Sequence, residues 1–425
     1  MRHVAFATLF VLLAPGALDI AHAQAPGPRR LTRAALEDKV RGGWAGQMIG
    51  VSFGAPTEFR YLGTRIEGEL PAWKPQRVEN AIDQDDLYVE MTFAAVMDRK
   101  GLDATSVDYG EAFRQSAYSL WHANAAARRL LARGLKPPQT GDASHNLHAD
   151  DIDFQIEADF IGLMTPGLPQ ASNRFCDRVG RVMNSGDGLY GGMFVAAMYS
   201  AAFFESDPRK VVEAGLAAIP AESGYGRIIR DVLSWSALYP NDWTKTWTLI
   251  EQRWNHDDVC VDGALKPFNI DAKINGAYIA LGLVYGRGDF AKTIEIATRA
   301  GQDSDCNPSN AAGVLGTILG YSKIPDGWKR GIPALATRKF AYTDYSLDDI
   351  VASTVTRALK VVQAAGGTVT DADITIPAQA PVPPPLERAF THVPVSSVPS
   401  SDSAWTHEGT WERVATKDDL QAIRA

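Results

Sequence analysis

The chain is expected to be all-α. From Ala34 to about Gln363 apolar residues recur at helical spacing, Gly, Pro, Asn and Asp interrupt them every ~10 to 20 residues, and no stretch alternates convincingly as a strand ladder would. Runs such as Val211-Val212-Ala214-Gly215-Leu216-Ile219, Ile228-Ile229-Val232-Leu233-Trp235 and Ile350-Val351-Val355-Ala358-Leu359-Val362 each put one apolar stripe on one helix face. Read this way the segment holds roughly thirteen helices, packed as a multi-layer core.

The N-terminus has a separate character. Basic Arg2 and His3, an apolar run from Val4 to Leu13, then Pro15, Gly16 and Ala21-His22-Ala23 follow the three-part plan of a secretory signal peptide, residues 1–23, with cleavage near Ala23. The run is too short to remain in a bilayer, which takes about 20 apolar residues, so a secreted or periplasmic protein without a membrane partner is expected. A formal charge of −8 without any basic tract argues against nucleic acid as a partner. Three cysteines, Cys176, Cys260 and Cys306, are too few for a disulfide framework; their odd number leaves at least one thiol unpaired, and a Cys176–Cys260 pair stays open. The eight histidines show neither His-x-x-x-His nor any spacing that points to zinc, so a metal here is expected on oxygen ligands.

Two acidic clusters carry the candidate chemistry. The first, Asp83-Gln84-Asp85-Asp86, runs into Leu87, Val89, Met91, Thr92, Ala95 and Val96. Asp83 suits an N-cap, and the acidic residues behind it suit the exposed N–H groups of a first helical turn. The second, Gly301-Gln302-Asp303-Ser304-Asp305-Cys306-Asn307-Pro308, leads into the small-residue run Ser309 to Gly316, with Asn307 as a candidate cap and Pro308 at the first helical position. The Gly and Ala of that helix allow another helix or a ligand to approach its backbone. Either cluster alone is ordinary helix-start chemistry. Together, each opening a helix, they suggest a binuclear site with four carboxylates, since hard divalent cations take oxygen ligands at about 2.0–2.6 Å.

A third acidic region, Asn146 to Phe160, contains His148, Asp150, Asp151, Asp153, Glu157 and Asp159. The spacing of Asp150, Asp153 and Glu157 puts them on one helical face. That face is either solvated or a wall of the active site, in which Asp151 or Asp153 binds sugar hydroxyls or moves a proton.

The set of motifs from Lys39 to Trp328 resembles the ADP-ribosylglycohydrolase family. The resemblance is carried by a Gly-rich first helix ending in Gly54-Ala55-Pro56-Thr57-Glu58-Phe59, an Asp-Asp pair opening a helix, the late Gly-x-Asp-x-Asp with its small-residue helix, and Ile324-Pro325-Asp326-Gly327-Trp328. It implies an orthogonal bundle of many helices around a central binuclear site holding two divalent cations, Mg2+ first, with Ca2+ and Mn2+ as alternatives. It carries metal binding onto Asp85, Asp86, Asp303 and Asp305, with Gln84 added through its amide oxygen, and a role beside the scissile bond onto Glu58. Asp303 is the second catalytic candidate, and Asn307, Asp151 and Asp153 are the candidates for substrate binding. The chain departs from the family pattern at Gln84, Leu87, Val51, Ser304 and Cys306, where Thr or Asp is usual; a thiol is a poor partner for a hard cation, which leaves Cys306 doubtful as a ligand.

The expected activity is hydrolysis of the glycosidic bond at C1 of an ADP-ribosyl or related ribosyl substrate, small or attached to an ADP-ribosylated partner. A glycosidase for a furanoside, a nucleoside or a glycan fragment is the alternative, and a non-catalytic sugar-binding protein the third reading. The domain division is 1–23, 32–365 and a Pro/Ser-rich extension, 366–425, in which Pro377 to Pro385 lacks backbone donors at five positions and should lie extended. Ser396 to Ser403 and Trp405 to Val414 then form either a small β-like appendage or a disordered end.

Overall fold

Thr32 caps the first helix with its side chain, accepting the Ala35 N–H at 3.1 Å, and sets the start of α1, Arg33–Gly54. In the computed structural model, which describes residues 27–255, 261–263, 266–387, 396–399, 412–415 and 420–424, this helix is the axis of an all-α body. The signal-peptide segment and Cys260 lie outside the described residues, and Cys176 is a free, buried thiol.

Behind strand β1 (Arg29–Thr32) and α1, the chain continues through α2 (Asp85–Lys100), α3 (Ser106–Arg114), α4 (His122–Ala132), α5 (Asp153–Ile156), α6 (Asp159–Leu163), α7 (Pro169–Gly180) and α8 (Gly186–Ala202). Next come α9 (Pro208–Ala217), α10 (Gly224–Leu238), α11 (Trp243–Ile250), α12 (Ala272–Gly286), α13 (Phe290–Arg299), α14 (Cys306–Leu319), α15 (Asp326–Lys329) and α16 (Leu347–Ala364). The described residues therefore hold sixteen α-helices, against roughly thirteen expected; α5, α6 and α15 are turns of four or five residues, too short to leave a periodic signal.

Helices α8, α12 and α14 are buried on nearly every side. They form the centre of the body, as helices apolar all round must. Helix α1 lies in backbone contact with α14, and glycine makes this possible. A Cβ on Gly42, Gly46, Gly50 or Gly54 would stand 2.2, 2.2, 2.1 and 2.1 Å from the carbonyl oxygens of Gly316, Ala312, Pro308 and Ser304 respectively. Four glycines at a spacing of four thus lay the backbone of α1 directly on α14. This contact fixes the loop before α14 against the C-terminal end of α1, where the candidate site lies.

Strands occur outside the helical segment. β1 pairs antiparallel with β3 (Asp373–Ile376), Arg29 opposite Ile376, and β3 also pairs with β2 (Thr368–Val369), giving the order β1-β3-β2. The first part of the 366–425 extension therefore closes onto the start of the helical body. The Pro-rich segment is extended, as its composition requires, and runs along α7 and α8: Gln170 Nε2 donates to the Ala380 carbonyl at 2.9 Å, Asn173 Nδ2 to Val382 at 3.3 Å and Tyr190 Oη to Pro385 at 3.1 Å. Arg181 pairs with Glu387 at 2.7 Å. Carbonyls without competing N–H groups suit this role. Further on, β4 (Ser396–Pro399), β5 (Glu412–Ala415) and β6 (Leu420–Arg424) form a second antiparallel sheet in the order β4-β6-β5; the rest of the Ser- and Trp-containing tail lies outside the described residues. No helix among the described residues is long and apolar enough to cross a membrane.

Candidate metal centre and active site

Three chain segments converge at the end of α1. Glu58 follows α1 at the mouth of the site and is exposed. Asp85 and Asp86 open α2. Asp303 and Asp305 lie on the loop into α14. Single carboxylate oxygens of Glu58, Asp303 and Asp305 come within 4.8 Å of one another, and ligand atoms of Asp86, Asp305 and Cys306 do the same.

Local structure sets each of these positions with small differences from the sequence reading. The cap of α2 is Gln84, not Asp83: a 3-10 helix, Pro75–Asp83, carries the chain one residue further before α2 begins, and the Gln84 side chain makes no capping bond. Asp85 Oδ1 accepts the Asp86 N–H at 3.1 Å. Likewise α14 starts at Cys306 with Asp305 as its cap, so neither Asn307 nor Pro308 is the boundary. Both shifts draw an aspartate into the cap region, where free N–H groups favour negative charge. The late loop needs left-handed backbone at Gly301 (φ 86°) and also at Gln302 (φ 56°), which is uncommon for a residue with a Cβ. Gln302 is held there by its N–H to the Tyr61 carbonyl at 2.9 Å and by its amide, which bonds Asn269 and Pro267, each at 2.9 Å.

The electrostatics are severe. Asp86, Asp303 and Asp305 are each at most 2% exposed, and the Oδ1 of each has no hydrogen-bond partner. Buried carboxylates in that state favour protonation unless a cation joins them. Desolvation by the protein around this partly exposed side chain, then the charges of Asp303 and Asp85, push the Glu58 carboxyl up to about 7. Burial and Asp303 push Asp85 up to about 6, and Asp86 and Asp305 are raised well above the usual carboxylate range by burial and their acidic neighbours. Orphaned hard oxygens on Asp86, Asp303 and Asp305, with Asp85 beside them, are a donor set that fits divalent cations such as Mg2+. Cys306 is not such a donor. Its thiol donates to Asp86 Oδ2 at 3.3 Å, and burial beside four aspartates keeps it protonated. Ser304, where the family has Thr, bonds Thr57 Oγ1 at 2.8 Å and so ties the late loop to the turn that carries Glu58.

The third acidic region is neither solvated nor one helical face. It breaks into α5 and α6, and Asp151, Asp153, Glu157 and Asp159 are all buried. Asp153 accepts the N–H groups of Ala123 and Asn124 at 3.0 and 3.1 Å, which pins the N-terminus of α4; Glu157 accepts from the Asn124 side chain. Asp151 Oδ2 lies 2.6 Å from His148 Nδ1. Asn307 is fully buried, its Nδ2 donating to Asn275 Oδ1 at 2.9 Å. The site thus joins Glu58, Asp85, Asp86, Asp303 and Asp305, with Asp151 and Asp153 on the adjoining wall. Sequence spacing missed His122. It opens α4 with left-handed backbone (φ 42°), and its charge acts on both Asp85 and Asp303.

A model of the ADP-ribosylglycohydrolase family matches residues 32–360. The chain belongs to the ADP-ribosylglycohydrolases. It is therefore placed among glycohydrolases of that type, in a family that is metal-dependent in general and acts on ADP-ribosylated substrates. A solved structure described as an ADP-ribosylglycohydrolase-related protein complex is similar at 16% identity over 76% of this chain and 98% of the other, with a TM-score of 0.49. No curated protein resembles the chain closely enough to count as a relative.

The raised carboxyls of this ADP-ribosylglycohydrolase make its stability depend on pH. Asp85 at about 6 and Asp153 at about 7 lie above their unfolded values, so the folded state holds more protons between about pH 4 and 7. Stability then falls as pH rises through that window. The chelated protein is expected to lose thermal stability from pH 5 to 8, and saturating Mg2+ at pH 8 to restore it. A cation at 100 times its Kd contributes about 2.7 kcal/mol, which for a chain of this length corresponds to a rise of about 3 °C in the midpoint. A midpoint independent of both pH and Mg2+ in differential scanning calorimetry would contradict the argument.

Proposed function

We propose that the chain is an exported, metal-dependent hydrolase that cleaves the glycosidic bond at C1 of an ADP-ribosyl or related ribosyl substrate. The observation that carries this reading is the set of buried, unpartnered aspartate oxygens converging below an exposed Glu58 whose carboxyl is raised to about 7. Asp85, Asp86, Asp303 and Asp305, with Gln84 at the edge, would hold two divalent cations, Mg2+ before Ca2+ or Mn2+. When bound, these supply a charged anchor for vicinal sugar hydroxyls and electrostatic stabilisation at C1.

The protein's own groups account for the rest. A carboxyl titrating near neutrality can accept a proton from water at useful rates. Glu58 takes that proton as the water oxygen bonds to C1 and the C1–leaving-group bond breaks, the departing atom keeping the bond's electron pair. The oxocarbenium-like character at C1 is stabilised by the surrounding carboxylates. The wall formed by Asp151, Asp153 and α4 limits the sugar's orientation and excludes water from its far side. Export is supported by the basic-apolar-small pattern of residues 1–23, and places the substrate outside the cytoplasm.

The test is release of free sugar from ADP-ribosylated peptide, ADP-ribose, nucleosides and aryl furanosides, each with chelator, with Mg2+ and with Ca2+. Chelator-sensitive release from an ADP-ribosyl substrate is expected. Release from furanosides or nucleosides alone would replace this substrate class with the glycosidase alternative, and no release from any would leave a sugar-binding protein.

A further inference from the structure

Beside the carboxylate centre, three segments far apart in sequence bring together two imidazoles and two carboxylates. His122 Nδ1 lies 2.8 Å from Asp262 Oδ2 and 4.0 Å from Asp151 Oδ2, and His148 Nδ1 lies 2.6 Å from the same Asp151 oxygen. Ligand atoms of His122, His148 and Asp262 all fall within 4.8 Å of one another. We propose that His122, His148, Asp151 and Asp262 form a second metal site, distinct from the all-oxygen centre, that takes a borderline transition ion, Zn2+ foremost.

The donor chemistry separates the two sites. Imidazole nitrogen with carboxylate oxygen suits Zn2+, whereas Mg2+ and Ca2+ prefer oxygen alone. Tetrahedral zinc with bonds of about 2.0–2.2 Å needs ligand atoms a little over ~3 Å apart, so shifts of under about 1 Å convert the present contacts into a coordination shell. An ordinary His–Asp pair needs only one ring. Here two rings stand 6.1 Å apart between shared carboxylates, and the charge of His122 opposes that of His148. On binding through Nδ1, each ring gives up any proton held there and keeps Nε2–H.

The surroundings hold the donors in place before any ion arrives. Fully buried Asn146 donates through Nδ2 to the carbonyls of Ala123, Thr140 and Met183 at 3.2, 3.1 and 3.0 Å, and its Oδ1 accepts the His148 N–H at 3.0 Å. Asp151 N–H is bonded to the His148 carbonyl at 2.9 Å. Phe268 packs on the His122 ring with centroids 5.8 Å apart. Such outer contacts are what orient metal-binding histidines.

The proposal does not require the proposed hydrolysis, although Asp151 belongs to both sites. The test uses tag-free, chelator-stripped full chain in saturating Mg2+, with Zn2+ titrated against a chromophoric indicator. One Zn2+ per chain is expected; His122→Ala and His148→Ala each weaken it by at least about 100-fold, the conservative His148→Gln does likewise, and Asp303→Asn leaves it within about 2-fold. Because a variant can misfold, the unaltered protein loaded with Cu2+ is also read by electron spin echo spectroscopy, where remote-nitrogen modulation from imidazole is expected. Absence of zinc binding, binding indifferent to both histidines, or a Cu2+ signal without imidazole modulation overturns the assignment.

Discussion

Asp303→Asn is expected to lower turnover by at least about 100-fold and to weaken divalent-cation binding, while leaving the metal-free protein as stable as before or more so. Asp303 is 2% exposed, has an oxygen without a partner, and its charge raises the carboxyls of Glu58, Asp85, Asp86 and Asp305. An amide of the same shape removes one negative charge from that cluster and one hard ligand from any ion. The two effects have opposite signs in the absence and presence of cation, which distinguishes loss of a ligand from simple damage to the fold. Glu58 should also fall back toward the ordinary carboxylate range, moving the acidic limb of the pH–rate profile of any residual activity to lower pH. Near-normal turnover together with retained metal binding would remove Asp303 from the mechanism.

The four aspartates were legible because each pair is contiguous or nearly so, and each stands immediately before an apolar helix. Their caps were less so: a 3-10 turn ending at Asp83 moves the start of α2 to Asp85, and a one-residue shift of that kind lies within the ambiguity of helix ends. The region from Asn146 to Phe160 left two readings open for a physical reason. Carboxylates spaced by three and four look the same whether they face water or a charged interior, and only the packing of α4 against Asp153 and Glu157 tells which. The histidine cluster left only the spacing of three between His148 and Asp151 as a local pattern. His122 and Asp262 are 140 positions apart, and tertiary structure alone brings them to 2.8 Å. Strand β1 was similarly invisible, since its four residues pair with a partner near residue 375.

The glycines of α1 show the converse case, in which a Gly-rich helix proves to be a strict packing requirement. Gly50→Val is expected to cost about 3 kcal/mol or more, at the upper end for overpacked interiors, and to remove divalent-cation binding with it. Even a single Cβ at Gly50 would lie 2.1 Å from the Pro308 carbonyl and 2.7 Å from the Ser309 nitrogen, both backbone atoms that no rotamer can move. Relief requires α1 and α14 to separate. Asp303 and Asp305 lie directly before α14, and Glu58 directly after α1, so separation of these helices pulls the carboxylates of the site apart. Gly42→Ala, equally close to the Gly316 carbonyl but at the far end of the contact, should destabilise comparably while disturbing cation affinity less in the molecules that remain folded. Thermal midpoints and Mg2+ titrations of the two variants check this. If both lose cation affinity equally at temperatures where they are folded, the helix contact acts on the centre only through global stability, and its role in spacing the two acidic clusters falls.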